Sequence, residues 1–366
     1  MPNPPELTRG SSRPGLSEPW PRVPNHGEVG DGVGVGVADQ VATIRPAALR
    51  MVGVEPTSNP VSVPAPSPAP DRLCTGLSWF EDRPALTTVE GADLRLKALA
   101  PGTHLALSWS GRRRCIGWTA PGTGRTACAQ DAEIDGAATL AQCPACQNRD
   151  HGLAVARDRI TDDGRAYQLY LAWFAPGMLK VGITGVQRGV ARLLEQGAIG
   201  YTVIATGTLP AARRAELTVS ASGLAKERYR SRAKVEAWWG LPESDGLRST
   251  LTQARIKALR LLADHRLDAI PDGPLVDNTD FFGLGDGAPA TYHEVEALDA
   301  SGSLSGEVRS VIGKHVFVTV EDGAQVLLDT RLLAGRHTAV AGAGGMVGVR
   351  TAERRRPLLY DTPTLF

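Results

Sequence analysis

Residues 166–198 read AYQLYLAWFAPGMLKVGITGVQRGVARLLEQGA, and this stretch constrains the fold most. An apolar run occupies residues 167–174. Pro176-Gly177 follows, a dipeptide that turns the chain. A second apolar run covers residues 178–183 and carries Gly182 inside it. A glycine within a strand marks a bulge or a close backbone approach. Arg188, Arg192 and Gln196 then recur at i, i+4 and i+8, the spacing of one helix face. The order is therefore strand, tight turn, strand, loop, helix. A polar trio beside a strand glycine suggests a site, and a plain surface helix is the simpler reading.

Four cysteines set the second constraint. Cys115, Cys128, Cys143 and Cys146 are spaced C-x12-C-x14-C-x2-C. Thiolates suit zinc, which takes four ligands at tetrahedral corners. A two-residue gap lets both sulfurs of Cys143 and Cys146 face one ion. The first pair is spread, and Pro121-Gly122-Thr123-Gly124 would bend the chain between them. Reduced, buried cysteines or a redox CxxC are the alternatives, although no βαβ context surrounds the pair. Cys74 is left over as a small hydrophobe. His151 could replace one thiolate. Arg112-Arg113-Arg114 precede Cys115 and read as a solvated face or as phosphate contacts.

Residues 168–170 (Gln-Leu-Tyr) and 180–182 (Lys-Val-Gly) resemble the paired tripeptides of the GIY-YIG nuclease superfamily. That resemblance implies a three-stranded sheet with flanking helices. It implies Tyr170 as the group that positions or deprotonates the nucleophile, and Arg192 as the charge on the phosphate. Glu216 would hold magnesium or manganese through a hard oxygen. Lys180 stands at the second tyrosine and would bind phosphate as a point charge. Arg188, Gln196, Arg213 and Arg214 would contact nucleic acid, DNA or RNA. The departures are Gln168 for the first glycine, Lys180 for the second tyrosine, Gln196 for the helix histidine, and a longer loop before Arg192. The chain is also similar to an uncharacterised bacterial family, a domain of unknown function that joins a cysteine cluster to this segment. Two function classes stay open: a metal-dependent nuclease, or a non-catalytic zinc-stabilised nucleic-acid-binding or protein-interaction module.

The remainder arranges around these parts. Residues 1–71 hold 14 of the 26 prolines and the tracts GDGVGVGV and VPAPSPAP, so a disordered tail is expected. Met51 is a candidate start, and a proline-rich docking tail is the functional alternative for this region. A β-rich zinc-binding module is expected over 72–160 and a GIY-YIG-like α+β domain over 161–270. A small C-terminal β-unit is expected over 271–366. A third strand falls near 201–207, a basic helix or helix pair over 210–239, and a helix over 244–265 capped by Ser244 or Asp245. Strands fall at 307–312, 316–320 and 326–328. The expected fold class is α+β.

Net charge is +1, which excludes a global field for nucleic acid and requires a local patch. The segment 213–234 offers one, with seven basic and two acidic residues. No run of 18 apolar residues appears, so no membrane partner is expected. The first residues carry no apolar signal segment, so the expected location is the cytoplasm.

Overall fold

The computed structural model describes residues 72–91, 93–122, 124–136, 138–341 and 345–357. The expected tail over 1–71 and the candidate start at Met51 lie outside them. The fold is mixed α+β with mostly strand content.

In chain order, β1 (Arg72–Phe80), β2 (Arg83–Glu90), β3 (Asp93–Ala98) and β4 (His104–Ser110) come first. A small hairpin follows, β5 (Trp118–Ala120) and β6 (Gly124–Thr126), then α1 (Pro144–Arg149) and α2 (His151–Ala156). The central segment runs β7 (Ala166–Trp173), β8 (Leu179–Gly185), α3 (Ala191–Glu195), β9 (Gly200–Thr208) and α4 (Leu209–Ala221). Next come α5 (Ser231–Ala237), α6 (Ser244–Leu261), and the two-residue strands β10 (Asp268–Ala269) and β11 (Val276–Asp277). The chain continues through β12 (Thr291–Ile312), β13 (His315–Thr319), β14 (Gln325–Asp329), β15 (His337–Ala339) and β16 (Met346–Arg355).

Two sheets carry the architecture. The larger has nine strands in the order β13-β14-β12-β4-β15-β1-β2-β3, with β16 also pairing β12. Strands expected in an N-terminal module and in a C-terminal unit therefore share one sheet. The 22-residue β12 is its spine, pairing with β4, β13, β14 and β16. The smaller sheet centres on β7, which pairs antiparallel with β8 on one side and β9 on the other. One hydrophobic core, from Leu77 and Trp109 through Leu169, Ile204 and Leu251 to Phe317, joins both sheets. Trp79 of β1 donates its indole N–H to the Gly313 carbonyl at 2.8 Å.

Local sequence explains the central sheet. β7 buries nearly every residue from Tyr167 on, because α4 and α6 cover one face and the α3 region the other. The turn at Pro176-Gly177 forms as expected, with Gly177 at φ 72 and Phe174 N–H bonded to the Met178 carbonyl at 3.0 Å. α4 buries Leu209, Ala212, Ala215 and Val219, a helical stripe. α6 buries Leu247, Leu251, Ala254 and Ala258. Leu261, the last residue of α6, is exposed.

Two expectations need correction, and a third resolves between its alternatives. Arg188 does not share a helix with Arg192 and Gln196. It ends a short 3-10 turn, and Gly189 at φ 48 breaks the helix before α3. Of the two forms expected for the basic segment 210–239, the helix pair is the one observed, interrupted after Ala221 where Gly223 takes φ 77. The cap of α6 is Glu243, one residue before the expected position. Among the described residues, no helix is long and apolar enough to cross a membrane.

Candidate functional site

Tyr170 lies directly opposite Gly182 in the β7–β8 pairing. Its ring crosses that position, so a Cβ on Gly182 would sit 2.5 Å from Tyr170 Cζ. The strand glycine is thus a close-approach residue that makes room for the tyrosine. Gln196, at the C-terminal end of α3, donates its side-chain amide to the Tyr170 hydroxyl at 2.8 Å. Lys180 Nζ stands 5.9 Å from the Tyr170 ring centroid. That ammonium donates to the Val181 carbonyl at 3.0 Å and to the Glu227 carbonyl.

The charged groups around this pair act on it electrostatically. Burial pushes the Tyr170 phenol up, opposed by the charges of Arg192 and Arg188 and by the Gln196 hydrogen bond. Burial lowers Lys180 from 10.5 to about 8, with Glu216 opposing and Arg192 adding to the shift. Burial raises Glu216 from 4.5 to about 7, while Lys180 pulls it back. Tyr170, Lys180 and Gln196 therefore form one locus between β7, β8 and α3, and the charges of Arg192 and Glu216 reach it.

The other named arginines have definite partners. Arg188 and Arg192 both reach Glu195, at 2.8 and 3.6 Å. Half-buried Glu195 is held below the usual carboxylate range, because Lys314, Arg188 and Arg192 outweigh its burial. Arg213 points elsewhere. It donates to the carbonyls of Val155 and Ile160 (2.6 Å to the second is from Nη1) and pairs with Asp158 at 3.1 Å, clamping α4 to the end of α2. Arg214 is exposed on α4. Sequence reasoning did not single out Lys234, whose ammonium lies 3.5 Å from the Phe174 ring centroid at the edge of this locus. Its only signal was membership in the basic run.

The cysteines form a second site. The sulfurs of Cys115, Cys128, Cys143 and Cys146 lie within 4.8 Å of one another. Cys128 Sγ and Cys143 Sγ are 3.9 Å apart. Zn–S bonds of about 2.3 Å put tetrahedral sulfurs about 3.8 Å apart, so the set fits such a metal. Backbone amides also point at sulfur: Cys143 N–H donates to Cys115 Sγ at 3.2 Å. Burial opposes ionisation of Cys128, but amide hydrogen bonds from Ala132 and Gln130 prevail and bring it to about 7. Four clustered sulfurs with amide donors form a cradle suited to a metal such as zinc. Cys74 lies apart and fully buried, its thiol pushed up to about 12 by burial. His151 joins Asp163 at 3.1 Å and Arg165, so the cluster is four sulfurs without it.

The three arginines before Cys115 divide. Arg112 pairs with Glu133 at 2.9 Å on the surface. Arg113 is buried, which corrects the solvated reading for that residue. It donates to the carbonyls of Ala334 at 2.8 Å, Ala138 at 2.6 Å, Arg331 at 3.1 Å and Asp135 at 3.3 Å. With these four carbonyls as acceptors, this side chain ties the cysteine module to the loop between β14 and β15. Asp150 does similar work inside the module. It caps α2 through Leu153 N–H and accepts from the Thr119 amide, the Thr119 hydroxyl and Gln142.

Neither a curated protein nor a solved structure matches the chain. A family model does match, over residues 102–335, which includes all four clustered cysteines, the Tyr170 locus and the whole of the spine strand β12. That span is well over half the chain, and the protein belongs to this family, DUF2797, described as a protein of unknown function.

Proposed function

We propose that the protein acts on nucleic-acid phosphodiesters as a metal-dependent nuclease with a GIY-YIG-like core, stabilised by zinc at the four cysteines. One observation carries the reading: Tyr170 has Gln196 on its hydroxyl and Lys180 over its ring, and the charges of Arg192 and Glu216 act on it. Phosphodiester cleavage needs an activated water, positive charge on the phosphate and relief for the leaving oxygen. Arg192 offers a guanidinium fork for the phosphate oxygens. Lys180 adds a point charge. Tyr170, oriented by Gln196, positions the attacking water.

The oxygen donor for magnesium or manganese would be Glu216, whose carboxyl is held near neutral protonation by burial. A hard cation replaces a proton on such a group. Bound there, the ion would supply Lewis-acid relief of charge on the leaving oxygen. Exposed Arg214, together with Arg188, extends the cationic surface for the flanking phosphates.

A second reading is a non-catalytic nucleic-acid-binding or interaction module on the same scaffold. It is favoured by the burial of Tyr170, whose phenol is pushed up and so is a poor base at neutral pH. The deciding experiment incubates labelled single- and double-stranded DNA and RNA with the full chain and added magnesium or manganese. The nuclease reading expects cleavage that disappears in Glu216→Gln. Binding without cleavage in every substrate class leaves the second reading. Neither binding nor cleavage rejects every action on nucleic acid and leaves the scaffold to protein contacts.

A further inference from the structure

Tyr170 and Phe174 are both buried on one face of the β7 segment, in one apolar cluster with Ala172, Leu193 and Ala198. Two ammonium groups lie over this face. Lys180, from β8, stands 5.9 Å from the Tyr170 ring centroid. Lys234, from α5, stands 3.5 Å from the Phe174 ring centroid and donates to the Gln196 carbonyl at 3.1 Å. Gln196 in turn donates its side-chain amide to the Tyr170 hydroxyl at 2.8 Å. One residue, Gln196, thus links Lys234 to the tyrosine that Lys180 covers.

Glu216 and Glu227 act on Lys180 from a distance, and the close pairing seen for the neighbouring cations is missing here. Arg188, Arg192 and Lys314 all have Glu195 within 4.0 Å. Among the described residues, neither Lys180 nor Lys234 has a carboxylate within that distance. Each ammonium carries three N–H donors, of which Lys180 uses two on carbonyls and Lys234 one. Burial first, then the charges of Lys180, Arg192 and Arg331, lowers Lys234 from 10.5 to about 7. Like charges gathered out of water oppose folding. An apolar side chain at 234 would pack on Phe174 without that cost, so the arrangement calls for an anion.

We propose that Lys234 and Lys180 form a two-ammonium clamp for a phosphate group, seated over Tyr170 and Phe174 and bordered by Arg192. A phosphate presents several acceptor oxygens, and the clamp presents one unused N–H on Lys180 and two on Lys234. This deepens the phosphodiester reading and rests on it for the identity of the ligand as a diester. Phosphate as a free ion shares the chemistry, and the two sources separate by experiment.

The test compares the wild-type full chain with Lys234→Met and Lys234→Arg, without added divalent metal. Two probes are used: inorganic phosphate, read as a shift in melting temperature, and a labelled single-stranded oligonucleotide, read as Kd at fixed salt. In Lys234→Met, oligonucleotide Kd should rise about tenfold, the loss expected for one charge-assisted hydrogen bond. Its phosphate-induced stabilisation should vanish, while its melting temperature without phosphate should equal or exceed that of the wild type. Lys234→Arg should keep part of both responses. Unchanged Kd and an unchanged phosphate response in Lys234→Met overturn the clamp, even where the protein cleaves nucleic acid. A melting temperature lowered equally with and without phosphate also overturns it, since that is a packing role. Phosphate stabilisation that depends on Lys234, in a protein that neither binds nor cleaves nucleic acid, supports the clamp for free phosphate and rejects the phosphodiester reading.

Discussion

Tyr170 and Gly182 are cross-strand partners, and the tyrosine ring occupies the space where a Cβ of residue 182 would stand. Both the ring position and the hydroxyl direction depend on that missing side chain. Gln196 meets the hydroxyl at 2.8 Å, and the ring atoms next to it fill the space over Gly182. Gly182→Ala should therefore displace the ring and break the Gln196 bond. The overpacking should cost about 1–3 kcal/mol of stability. Denaturant unfolding measures this cost, and loss of less than about 0.5 kcal/mol would show that the ring has room to move aside. Any activity on nucleic acid should fall further than the stability loss accounts for.

The hairpin, the third strand and the following helix were legible in the sequence, because apolar runs and Pro176-Gly177 are local signals. The cysteine set was legible for the same reason, through its two-residue gap. Three features were not. The nine-stranded sheet depends on β4 pairing with both β12 and β15, across nearly two hundred residues or more, and no local pattern encodes that pairing. Arg113 looked solvated because its neighbours are arginines, yet its acceptors at Ala334 and Arg331 lie more than two hundred positions away. Lys234 was one of seven cations in a basic run read as helix. The interruption after Ala221 sets its face, and only tertiary packing puts it on Phe174.

The cysteine module should lose its structure with its metal. Elemental analysis of purified protein should find one zinc per chain. Removal by a strong chelator should lower the melting temperature by several degrees, since metal binding is folding free energy for such a cradle. Cys146→Ser, which replaces a buried ligand, should reproduce the effect without chelator. The loss should spread to the large sheet through Arg113, because its four acceptors include the loop after β14. Full stability in metal-free protein would mean that the four thiols pack by themselves.

Stability should pass through a shallow minimum near neutral pH. Glu216 has its pKa raised from 4.5 to about 7, chiefly by burial. The folded state then holds a proton that the unfolded chain releases, so stability falls as pH rises from 4.5 to about 7. Lys234 has its pKa lowered from 10.5 to about 7, again by burial first. Below about 7 the folded state carries the full cost of the buried ammonium, and that cost is relieved as pH climbs toward 10.5. Lys180, lowered to about 8, acts in the same direction. Glu216→Gln should flatten the acid side of the minimum, and Lys234→Met the alkaline side. Chemical denaturation at half-unit pH steps from about 5 to about 9 would show this, and parallel profiles for wild type and both variants would remove the assignment.

Arg192 separates the two proposed functions. Its guanidinium is half exposed, 3.6 Å from Glu195, and its charge bears on both Tyr170 and Lys180. In a nuclease, Arg192→Ala removes the donor aimed at charge that grows in the transition state, so the rate should fall by about two to three orders of magnitude. Affinity should fall much less, because several cations share the phosphate term. In a binding module, the same change should weaken affinity modestly and reduce the dependence of log K on log salt by about one contact. Glu195 keeps Arg188 and Lys314 as partners after the change, so the fold should survive, and circular dichroism should match wild type. Equal cleavage rates in wild type and Arg192→Ala would exclude Arg192 from the chemistry and move the phosphate contact to the lysines over Tyr170 and Phe174.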